Sequence, residues 1–401
     1  MKTVIMGNGV AGVTAARRLR ENDADAGIVM FSREPYHYYY KPRLPEVVAG
    51  TVDVGSLVIN PPEWYEERRI DVRLSTPVSG IDAVERRVRL EDGGAESYDA
   101  LLIATGADPF VPPISGADLD GVYTLRTADD AVALRHAAGA AKRIVVIGGG
   151  LLGLESARGM VASGADVVAL EVADRLLPRQ LDHAGAELLT ERIAALGLAV
   201  RTNATTTSLV GDGAVEGVSL EDGETLSADL VLISTGVRPS LDTLAGTGVD
   251  AGRGVLVDCG MRTSVPDVFA AGDVAELDEH VWGIIPAATA MAESAARVIG
   301  GEDSGSCRII GTNTLKISEV DVYSAGDVFC DDCETHVFED SGVYRKVLLN
   351  NGRIVGAIVV GSRRGVRELD KLIVAGADVS SYGDGIARDD FDFAAALDAA
   401  A

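Results

Sequence analysis

The fold is decided by Lys2-Thr3-Val4-Ile5-Met6-Gly7-Asn8-Gly9-Val10-Ala11-Gly12, a pattern that recurs as Ile144-Val145-Val146-Ile147-Gly148-Gly149-Gly150-Leu151-Leu152-Gly153. Each stretch is a short apolar strand followed by GxGxxG and the start of a helix. The first glycine permits a tight turn, the second lets a pyrophosphate approach the backbone, and the third lets helix and strand pack closely. The phosphate charge then lies at a helix N-terminus. Two copies predict two dinucleotides on one chain and indicate electron transfer between them.

A carboxylate placed after each motif indicates which dinucleotide binds there. The apolar strand 166–170 is followed by Glu171, about 20 residues after the glycines, where a carboxylate accepts bonds from ribose hydroxyls and repels a 2′-phosphate. Glu171 therefore favours NADH over NADPH, and the nearby Arg175 weakens this preference. After the first motif the strand ends at Ser32, and Glu34 two residues later is the candidate for the ribose contact. The alternative for both acids is a solvated loop carboxylate.

Composition and charge narrow the class of protein. The chain has 401 residues, 47% of them hydrophobic, and a formal net charge of −25, so we expect two or three domains with full cores. The negative charge argues against nucleic acid or an anionic membrane as a bulk partner. We expect neither a leader nor a membrane span. All four cysteines lie at Cys259 or later, which predicts no disulfide framework and a reducing cytoplasm.

Three further motifs carry a resemblance to a known family. Residues 101–109 contain Ala104-Thr105-Gly106, residues 230–239 contain Thr235-Gly236, and residues 268–273 end in Gly272-Asp273. In this order the motifs resemble those of the pyridine-nucleotide-disulfide oxidoreductases, over nearly the whole chain. The resemblance implies that the first two mark the exits from an FAD domain and an NAD domain. It also implies that Asp273 bonds the ribitol chain of FAD.

The resemblance implies a nested α/β architecture. Residues 1–112 and 240–305 would form a Rossmann-like FAD domain, with a Rossmann-like NAD domain, 113–239, inserted between them. Residues 306–401 would form a C-terminal α+β interface or dimerisation domain. In it, the apolar segments 344–349 and 354–360 flank Asn350-Asn351-Gly352 and predict a hairpin. We expect the alanine-rich last eight residues to fray.

The region after the first motif separates this chain from the thiol-dependent members of the family. Where disulfide reductases, peroxidases and water-forming oxidases carry cysteine, this chain has none. Residues 34–46 are instead similar to the Y-x-[RK]-P-x-L stretch of NADH:rubredoxin reductases and of the amino-terminal half of NAD(P)H nitrite reductases. The resemblance places Lys41 and Arg43 beside the FAD pyrophosphate or flavin, where cations suit phosphate. Tyr38 to Tyr40 would shield the ring or form a packed aromatic corner.

Two other segments bear on the flavin and the nicotinamide. The resemblance places Glu155 near the nicotinamide, with a compensated acid on a helix face as the alternative. At the helix that begins Ile285-Pro286-Ala287, backbone amides would stabilise negative charge on the reduced flavin. The family usually carries Gln-Gly farther along this helix, whereas this chain has Met291 and Ala292. We therefore do not expect Met291 and Ala292 to make the side-chain contacts with flavin that the family makes at these positions.

The C-terminal part contains one resemblance and one unassigned motif. Residues 314–327 look like the opening of the interface domain of rubredoxin reductases. Cys330-Asp331-Asp332-Cys333 supplies half of a tetrahedral metal site, and Cys307 and His336 could complete one. The pair is interpreted first as two free thiols in an exposed turn. A redox pair and a zinc clip remain alternatives, and we predict no metal centre.

These observations predict an FAD-dependent NADH oxidoreductase that passes hydride from NADH to flavin and then electrons to a small redox protein. Rubredoxin is the first candidate acceptor and ferredoxin the second, docking on Arg363, Arg364 and Arg367 or near Lys41 and Arg43. Alternatives are the electron-input flavoprotein of a larger complex, of nitrite reductase or 2-oxoacid dehydrogenase type, an NADH oxidase, and a regulatory flavoprotein. We expect a monomer or a homodimer.

Overall fold

The computed structural model describes residues 1–303, 312–317 and 320–400. Cys307, the predicted domain boundary at 305–306 and part of the segment 314–327 lie outside these residues. The α-helices are α1 (Val10–Asn22), α2 (Leu44–Val48), α3 (Pro62–Glu67), α4 (Ala128–Ala138), α5 (Leu151–Val161), α6 (His183–Ala195), α7 (Ile285–Ile299), α8 (Val366–Ala375) and α9 (Phe393–Ala400). Short 3-10 segments are Lys41–Arg43, Val54–Leu57, Asp242–Leu244 and Ser380–Ala387.

The strands follow the alternation of apolar runs with glycine-rich turns. They are β1 (Lys2–Met6), β2 (Gly27–Phe31), β3 (Ile70–Arg73), β4 (Val78–Asp82), β5 (Arg87–Leu90), β6 (Ala95–Ser97), β7 (Ala100–Ile103), β8 (Ala107–Pro109), β9 (Val122–Tyr123), β10 (Arg143–Ile147), β11 (Asp166–Leu170), β12 (Ala199–Arg201), β13 (Thr206–Asp212), β14 (Ala214–Leu220), β15 (Thr225–Ser227), β16 (Leu230–Ile233), β17 (Val237–Pro239), β18 (Val255–Leu256), β19 (Val268–Ala270), β20 (Ala275–Glu276), β21 (Thr312–Ile317), β22 (Val320–Gly326), β23 (Glu334–Asp340), β24 (Val343–Asn350) and β25 (Arg353–Val360).

The chain forms two compact units. The first comprises Met1–Lys41, Asp53–Pro109 and Val237–Gly311; the second comprises Pro42–Val52, Phe110–Gly236 and Thr312–Ala401. The three-domain boundaries expected from the sequence stay a prediction.

The first unit is built on a parallel sheet in the order β19-β7-β1-β2-β3. Val4 and Ile5 in β1 and Leu101 in β7 are fully buried, because strands of a parallel sheet are covered on both faces. Helices α1 and α7 pack against each other. A small antiparallel sheet, β4-β5-β6, completes the unit together with short strand pairs.

The second unit contains a parallel sheet of the same form, in the order β12-β11-β10-β16-β9. Helix α4 begins with a capping box, in which Thr127 accepts from the Asp130 amide and the Asp130 side chain accepts from the Thr127 amide. These reciprocal bonds satisfy two amides that the helix itself cannot pair. The antiparallel sheet β13-β14-β15 adjoins this core.

The C-terminal part of the second unit is an antiparallel sheet in the order β21-β22-β25-β24-β23. The predicted hairpin is confirmed, since Asn350 pairs with Arg353 and the turn residues Asn351 and Gly352 both have positive φ, 49° and 73°. Residues 393–400 form α9, in which Phe393 is buried, and the expectation that the end frays stays a prediction. The predicted α/β fold class, with two Rossmann-like sheets and a C-terminal α+β part, is confirmed. No helix of the described chain is long and apolar enough to cross a membrane.

Candidate cofactor sites

The first glycine turn joins β1 to α1 with two glycines packed against backbone and one facing open space. Gly7 has a φ of +120°, and a Cβ there would lie 2.1 Å from the Ala104 carbonyl oxygen. A Cβ on Gly12 would lie 2.0 Å from the carbonyl oxygen of Gly7. A Cβ on Gly9 would meet no described atom within 4 Å beyond its chain neighbours. The turn therefore leaves open space beside the backbone at Gly9, which would allow a pyrophosphate to approach.

The second turn, between β10 and α5, has the same construction. Gly148 has a φ of +119°, and its Cβ would lie 2.2 Å from the Ser234 carbonyl oxygen. On Gly153 a Cβ would lie 2.4 Å from the carbonyl oxygen of Gly148, whereas on Gly150 it would meet no described atom within 4 Å. The second turn thus leaves the same open space beside the backbone at Gly150.

Both helices that follow the turns begin without a side-chain cap. Gly9 and Gly150 are the N-cap residues of α1 and α5, and no described side chain accepts from the first amides of either helix. The first turns contain no acidic residue. They begin with Val10 and Ala11 in α1 and with Leu151 and Leu152 in α5. The unpaired amides and the helix dipole favour a bound anion at each turn.

The Ala104-Thr105-Gly106 turn lies beside the first glycine turn. The Ala104 amide donates to the Met6 carbonyl at 2.8 Å, and Thr105 Oγ1 donates to the Ser240 carbonyl at 3.2 Å. The Ser240 amide donates in return to the Gly106 carbonyl at 3.0 Å. These bonds fix the exit from the parallel sheet next to the predicted FAD turn.

The third motif also reaches the start of α1. Gly272 has a φ of +84°, and a Cβ there would lie 3.0 Å from the Ala11 Cβ. Asp273 follows directly and is half-buried. Helix α7 carries Pro286 in its first turn and Ala287 fully buried, and no described side chain caps it. The third motif therefore lies next to the start of α1, the helix that follows the predicted FAD turn.

Glu171 supports the second glycine turn directly. Its carboxylate is 8% exposed; Oε2 accepts from the Gly149 amide and Oε1 from the Ala173 amide, both at 2.9 Å. A Cβ on Gly149 would lie 2.8 Å from the Glu171 Cβ, so this position requires glycine. The predicted ribose ligand is thus held beside the turn by backbone donors, which also satisfy its buried charge.

Arg175 is engaged by its own loop. Its Nε donates to the Leu181 carbonyl at 3.0 Å and its Nη2 to the Pro178 carbonyl at 3.2 Å, while Nη1 pairs with Asp174 at 2.8 Å. These bonds brace the loop that follows Glu171. The sequence suggested that Arg175 weakens the preference of Glu171 for NADH. In the structure its guanidinium holds this loop in place.

The exit turn of the second parallel sheet is fixed in the same way as the first. Thr235 Oγ1 donates to the Phe110 carbonyl at 2.6 Å, and the Phe110 amide donates to the Gly236 carbonyl at 2.9 Å. Gly236 has a φ of +103°. Glu155 is half-buried in α5, one turn after its start. Thr235 lies beside the second glycine turn, since a Cβ on Gly148 would be 3.4 Å from its backbone nitrogen. The nicotinamide contact of Glu155 stays a prediction.

The predicted acid of the first site has a different environment from Glu171. Lys41 Nζ pairs with Glu34 Oε1 at 2.7 Å, and the Tyr39 hydroxyl donates to Glu34 Oε2. Tyr39 is 3% exposed, which favours the packed aromatic corner over a shield for the ring. The ribose contact of Glu34 stays a prediction.

The two predicted cations belong to different units. Lys41 is the last residue of the first segment of unit one, whereas Arg43 lies in unit two. Arg43 contacts Glu46 through two hydrogen bonds, from Nε at 2.8 Å and from Nη2 at 2.7 Å. Each cation therefore has a carboxylate of its own, and their contact with FAD stays a prediction.

Asn8 and Tyr65 form a contact at the first glycine turn that the sequence did not predict. The Tyr65 hydroxyl donates to Asn8 Oδ1 at 2.8 Å, and Asn8 Nδ2 contacts the Tyr36 carbonyl at 3.5 Å. Burial raises the pKa of Tyr65, so the hydroxyl stays protonated and donates. The polar side chain between Gly7 and Gly9 was the available signal, but its partner lies in α3, which no motif marks.

The Cys330-Asp331-Asp332-Cys333 motif forms a disulfide between its two cysteines, with Cα atoms 5.5 Å apart. The interpretation as two free thiols is therefore wrong. The short spacing suffices for the bond because both cysteines lie in one loop between β22 and β23. Among the described residues no group of three or more candidate metal ligands occurs, and Cys307 lies outside those residues.

Comparisons with known families agree with this geometry. Residues 1–295 match the family model described as pyridine nucleotide-disulphide oxidoreductase. Residues 312–377 match the model described as rubredoxin NAD+ reductase C-terminal domain. The second match falls on the C-terminal antiparallel sheet and α8.

Individual relatives with similar sequences or structures include several reductases. A nitrite reductase [NAD(P)H] of Bacillus subtilis is 34% identical over 94% of this chain and 48% of its own length. The NADH-rubredoxin oxidoreductase of Clostridium acetobutylicum is 30% identical over 90% of this chain and 91% of its own. The crystal structure of a ferredoxin reductase from Rhodopseudomonas palustris matches with a TM-score of 0.89 and 26% identity, covering all of both chains.

The nitrite reductase is much longer than this protein, and the chain spans about half of its length. The predicted cofactors, FAD and NAD, are confirmed by the family, and both glycine turns have the shape that such groups require. The chain belongs to the pyridine nucleotide-disulphide oxidoreductase family.

Proposed function

We propose that this chain is an FAD-dependent NADH oxidoreductase that passes electrons from NADH through flavin to a small redox protein. Rubredoxin is the first candidate acceptor and ferredoxin the second. The observation that carries the proposal is the pair of glycine turns, each with open space at its central glycine and followed by a helix without a side-chain cap. Two such turns in one chain support two dinucleotides.

The residues of the first unit would bind and orient FAD. Gly9 and the start of α1 would hold its pyrophosphate, Asp273 its ribitol chain, and the start of α7 the polar edge of its ring. When bound, FAD would accept two electrons as hydride and release them one at a time. In the second unit, Gly150 would hold the pyrophosphate of NADH, Glu171 its ribose, and Glu155 the nicotinamide end. Their work is orientation, since hydride transfer needs no general base.

The cysteine distribution supports an external acceptor. The chain has no cysteine before Cys259, so the segment after the first glycine turn offers no thiol to take electrons from the flavin. The similarity to the NADH-rubredoxin oxidoreductase of Clostridium acetobutylicum covers nine-tenths of both chains. Both observations support transfer to a small protein that carries single electrons.

Anaerobic stopped-flow spectroscopy tests the proposal. We expect NADH to bleach the flavin faster than NADPH does, and rubredoxin to reoxidise the reduced protein faster than air does. Gly150→Ala should bind FAD normally and lose rapid bleaching, because its methyl group would occupy the space in which the pyrophosphate of NADH approaches the backbone. Gly385→Ala is the matched control: its Cβ also meets no described atom within 4 Å, but it lies in the segment Ser380–Ala387, away from the turn. Absence of bleaching by either nucleotide would overturn the proposal.

A second candidate is the electron-input part of a larger enzyme of the nitrite reductase type. It is supported by the match of 94% of this chain to about half of the Bacillus subtilis protein. Bleaching by NADH without reoxidation by rubredoxin or ferredoxin, together with copurification of a second subunit, would favour it. The first proposal includes a monomer or homodimer in the cytoplasm, which light scattering and cell fractionation test.

A further inference from the structure

The Cys330–Cys333 disulfide lies in an exposed loop outside both cofactor turns. The loop joins β22 to β23, both cysteines are half-buried, and Asp331 and Asp332 between them are exposed. A bond between residues three positions apart closes a short ring within one loop and holds no distant segments together. A disulfide that stabilises the fold would join elements that are remote in sequence. This disulfide can therefore break without unfolding the sheet.

The same loop contacts the segment that follows Glu171. The Arg175 guanidinium carbon lies 5.9 Å from the centroid of the Phe329 ring, within cation–π range. Phe329 immediately precedes Cys330 and is 43% exposed, so this contact is formed at the surface. The disulfide is thus next in sequence to Phe329, the residue whose ring contacts Arg175.

A second connection runs through Lys346. Its Nζ donates to the Val328 carbonyl at 3.4 Å and pairs with Asp182 at 3.3 Å. Asp182 is the N-cap of α6 and accepts from the Tyr344 hydroxyl at 2.6 Å. The cysteine loop is therefore attached to both the middle and the end of the segment 171–182.

That segment begins with the acid of the second glycine turn. Arg175 binds the carbonyls of Pro178 and Leu181, and the Ala173 amide holds Glu171. A change in the position of Phe329 would alter the support of Arg175 and, through it, the loop that presents Glu171.

We propose that Cys330 and Cys333 form a dithiol–disulfide exchange site whose redox state sets the affinity of the adjoining dinucleotide site. The reaction partner is a dithiol, either a small molecule or a protein. The inference rests on the proposed function, because it assumes that the second glycine turn binds NADH. In a reducing compartment the dithiol form would prevail, and oxidation would tighten NADH binding.

The exchange balances as an ordinary thiol–disulfide reaction. A thiolate of the partner attacks one sulfur of the Cys330–Cys333 bond, forming a mixed disulfide and releasing the other cysteine as a thiolate. The partner's second thiol then attacks the mixed disulfide and releases the remaining cysteine. Two electrons and two protons pass from the partner dithiol to the protein, and the partner leaves as a disulfide.

The two equilibria are linked. If the disulfide form binds the dinucleotide five times more tightly, saturation with the dinucleotide stabilises the disulfide by the same factor. For a two-electron couple this corresponds to a shift of about 20 mV in the midpoint potential. The linkage gives the proposal a second readout that does not depend on enzyme turnover.

Calorimetric titration of the FAD-loaded protein with ADP-ribose tests the proposal, since this probe contains the adenosine and pyrophosphate but no nicotinamide. We expect the Kd to rise about fivefold after treatment with dithiothreitol, with alkylation and mass spectrometry showing that Cys330 and Cys333 have become thiols. Cys259 is also disulfide-bonded, so the double variant Cys330→Ser/Cys333→Ser provides the site-specific comparison. It should bind weakly with or without dithiothreitol.

Phe329→Ala separates the proposed contact from a general effect of reduction. In the oxidised protein it should raise the Kd by the same factor and abolish the response to dithiothreitol. Equal affinity of the oxidised and reduced wild-type protein would overturn the redox proposal while leaving the NADH site intact. Absence of ADP-ribose binding in both states would instead overturn the proposed function.

Discussion

The two glycine turns have nearly the same backbone and differ in the residue at the second position. Gly7 and Gly148 have φ values of +120° and +119°, and each following helix packs its third glycine within contact distance of a backbone carbonyl. The second position is Asn8 in the first turn and Gly149 in the second. The shared backbone serves the phosphate groups. The second position determines which part of the protein supports the turn.

In the first turn that support is a neutral side-chain hydrogen bond, and in the second it is a charged one. Asn8 accepts from Tyr65, whereas the Gly149 amide donates to the Glu171 carboxylate. The second turn therefore uses one carboxylate both to support its backbone and as its predicted ribose ligand. In the first turn these two tasks fall to different residues.

The hydrogen bonds between each glycine turn and the neighbouring strand show which residues of the two units correspond. The Gly7 amide donates to the Phe31 carbonyl, and the Gly148 amide donates to the Leu170 carbonyl, both at 2.8 Å. The next residues are Ser32 and Glu171, so Ser32 occupies the position that Glu171 holds in the second unit.

The largest effect is expected from Gly12→Ala and Gly153→Ala. The added methyl groups would lie 2.0 and 2.4 Å from backbone carbonyl oxygens, which can move only if the helix shifts. We expect a loss of about 3 kcal/mol in the free energy of unfolding, measured by urea denaturation. Gly9→Ala is the matched control and should cost about 1 kcal/mol or less. Similar losses for Gly9→Ala and Gly12→Ala would contradict the assignment of packing and ligand roles.

Glu171→Ala should have the next largest effect and should reveal the double task of this carboxylate. One buried and one partly buried amide lose their acceptor, which we expect to cost about 2 kcal/mol of stability. Preference for NADH over NADPH should fall about tenfold, equivalent to about 1.4 kcal/mol. The ratio of kcat/KM for the two nucleotides measures this change. Ser32→Ala, at the corresponding position of the first unit, should leave the ratio unchanged.

Asn8 and Tyr65 provide a smaller, pairwise test. Asn8→Ala and Tyr65→Phe each remove one neutral hydrogen bond, and we expect a coupling energy of about 1 kcal/mol in a double-mutant cycle. Thermal unfolding of the FAD-loaded protein gives the four values required. Additive losses would show that the bond does not support the first turn.

The smallest effect is expected from Glu34→Gln. Its partner Lys41 is about one-third exposed, and pairs of this kind contribute about 1 kcal/mol or less. Because the amide oxygen of glutamine can still accept a hydrogen bond from a ribose hydroxyl, we expect FAD to be retained during gel filtration. Release of FAD by this variant would establish the ribose contact that the sequence predicted for Glu34.

The glycine motifs could be predicted from the sequence because their geometry is local. A strand, a turn with positive φ and a helix are specified within about a dozen residues, and Gly7 and Gly148 have the conformation expected. The hairpin at Asn351 and Gly352 was predictable for the same reason. The Thr235 turn was identified by its similarity to the Thr105 turn.

Contacts between residues remote in sequence could not be predicted in this way. Tyr65 donates to Asn8, which is 57 positions away in the sequence. Arg175 contacts Phe329 because the C-terminal sheet is part of the same unit. The pairing of Cys330 with Cys333 was open because CxxC spacing suits a disulfide, a metal and free thiols alike. The ribose contact of Glu34 stays a prediction, because Glu34 lies two residues past Ser32, the position that corresponds to Glu171.

The helix α2 has a consequence for protein engineering. It lies in the segment Pro42–Val52, which belongs to the second unit although its neighbours in sequence belong to the first. It packs on α4 and α5, and a Cβ on Gly159 would lie 3.1 Å from the Ala49 Cβ. A chimera that takes residues 110–236 from a relative to change nucleotide preference must therefore take 42–52 from the same donor. Fragments that omit this segment would leave part of α5 uncovered and should be recovered from inclusion bodies.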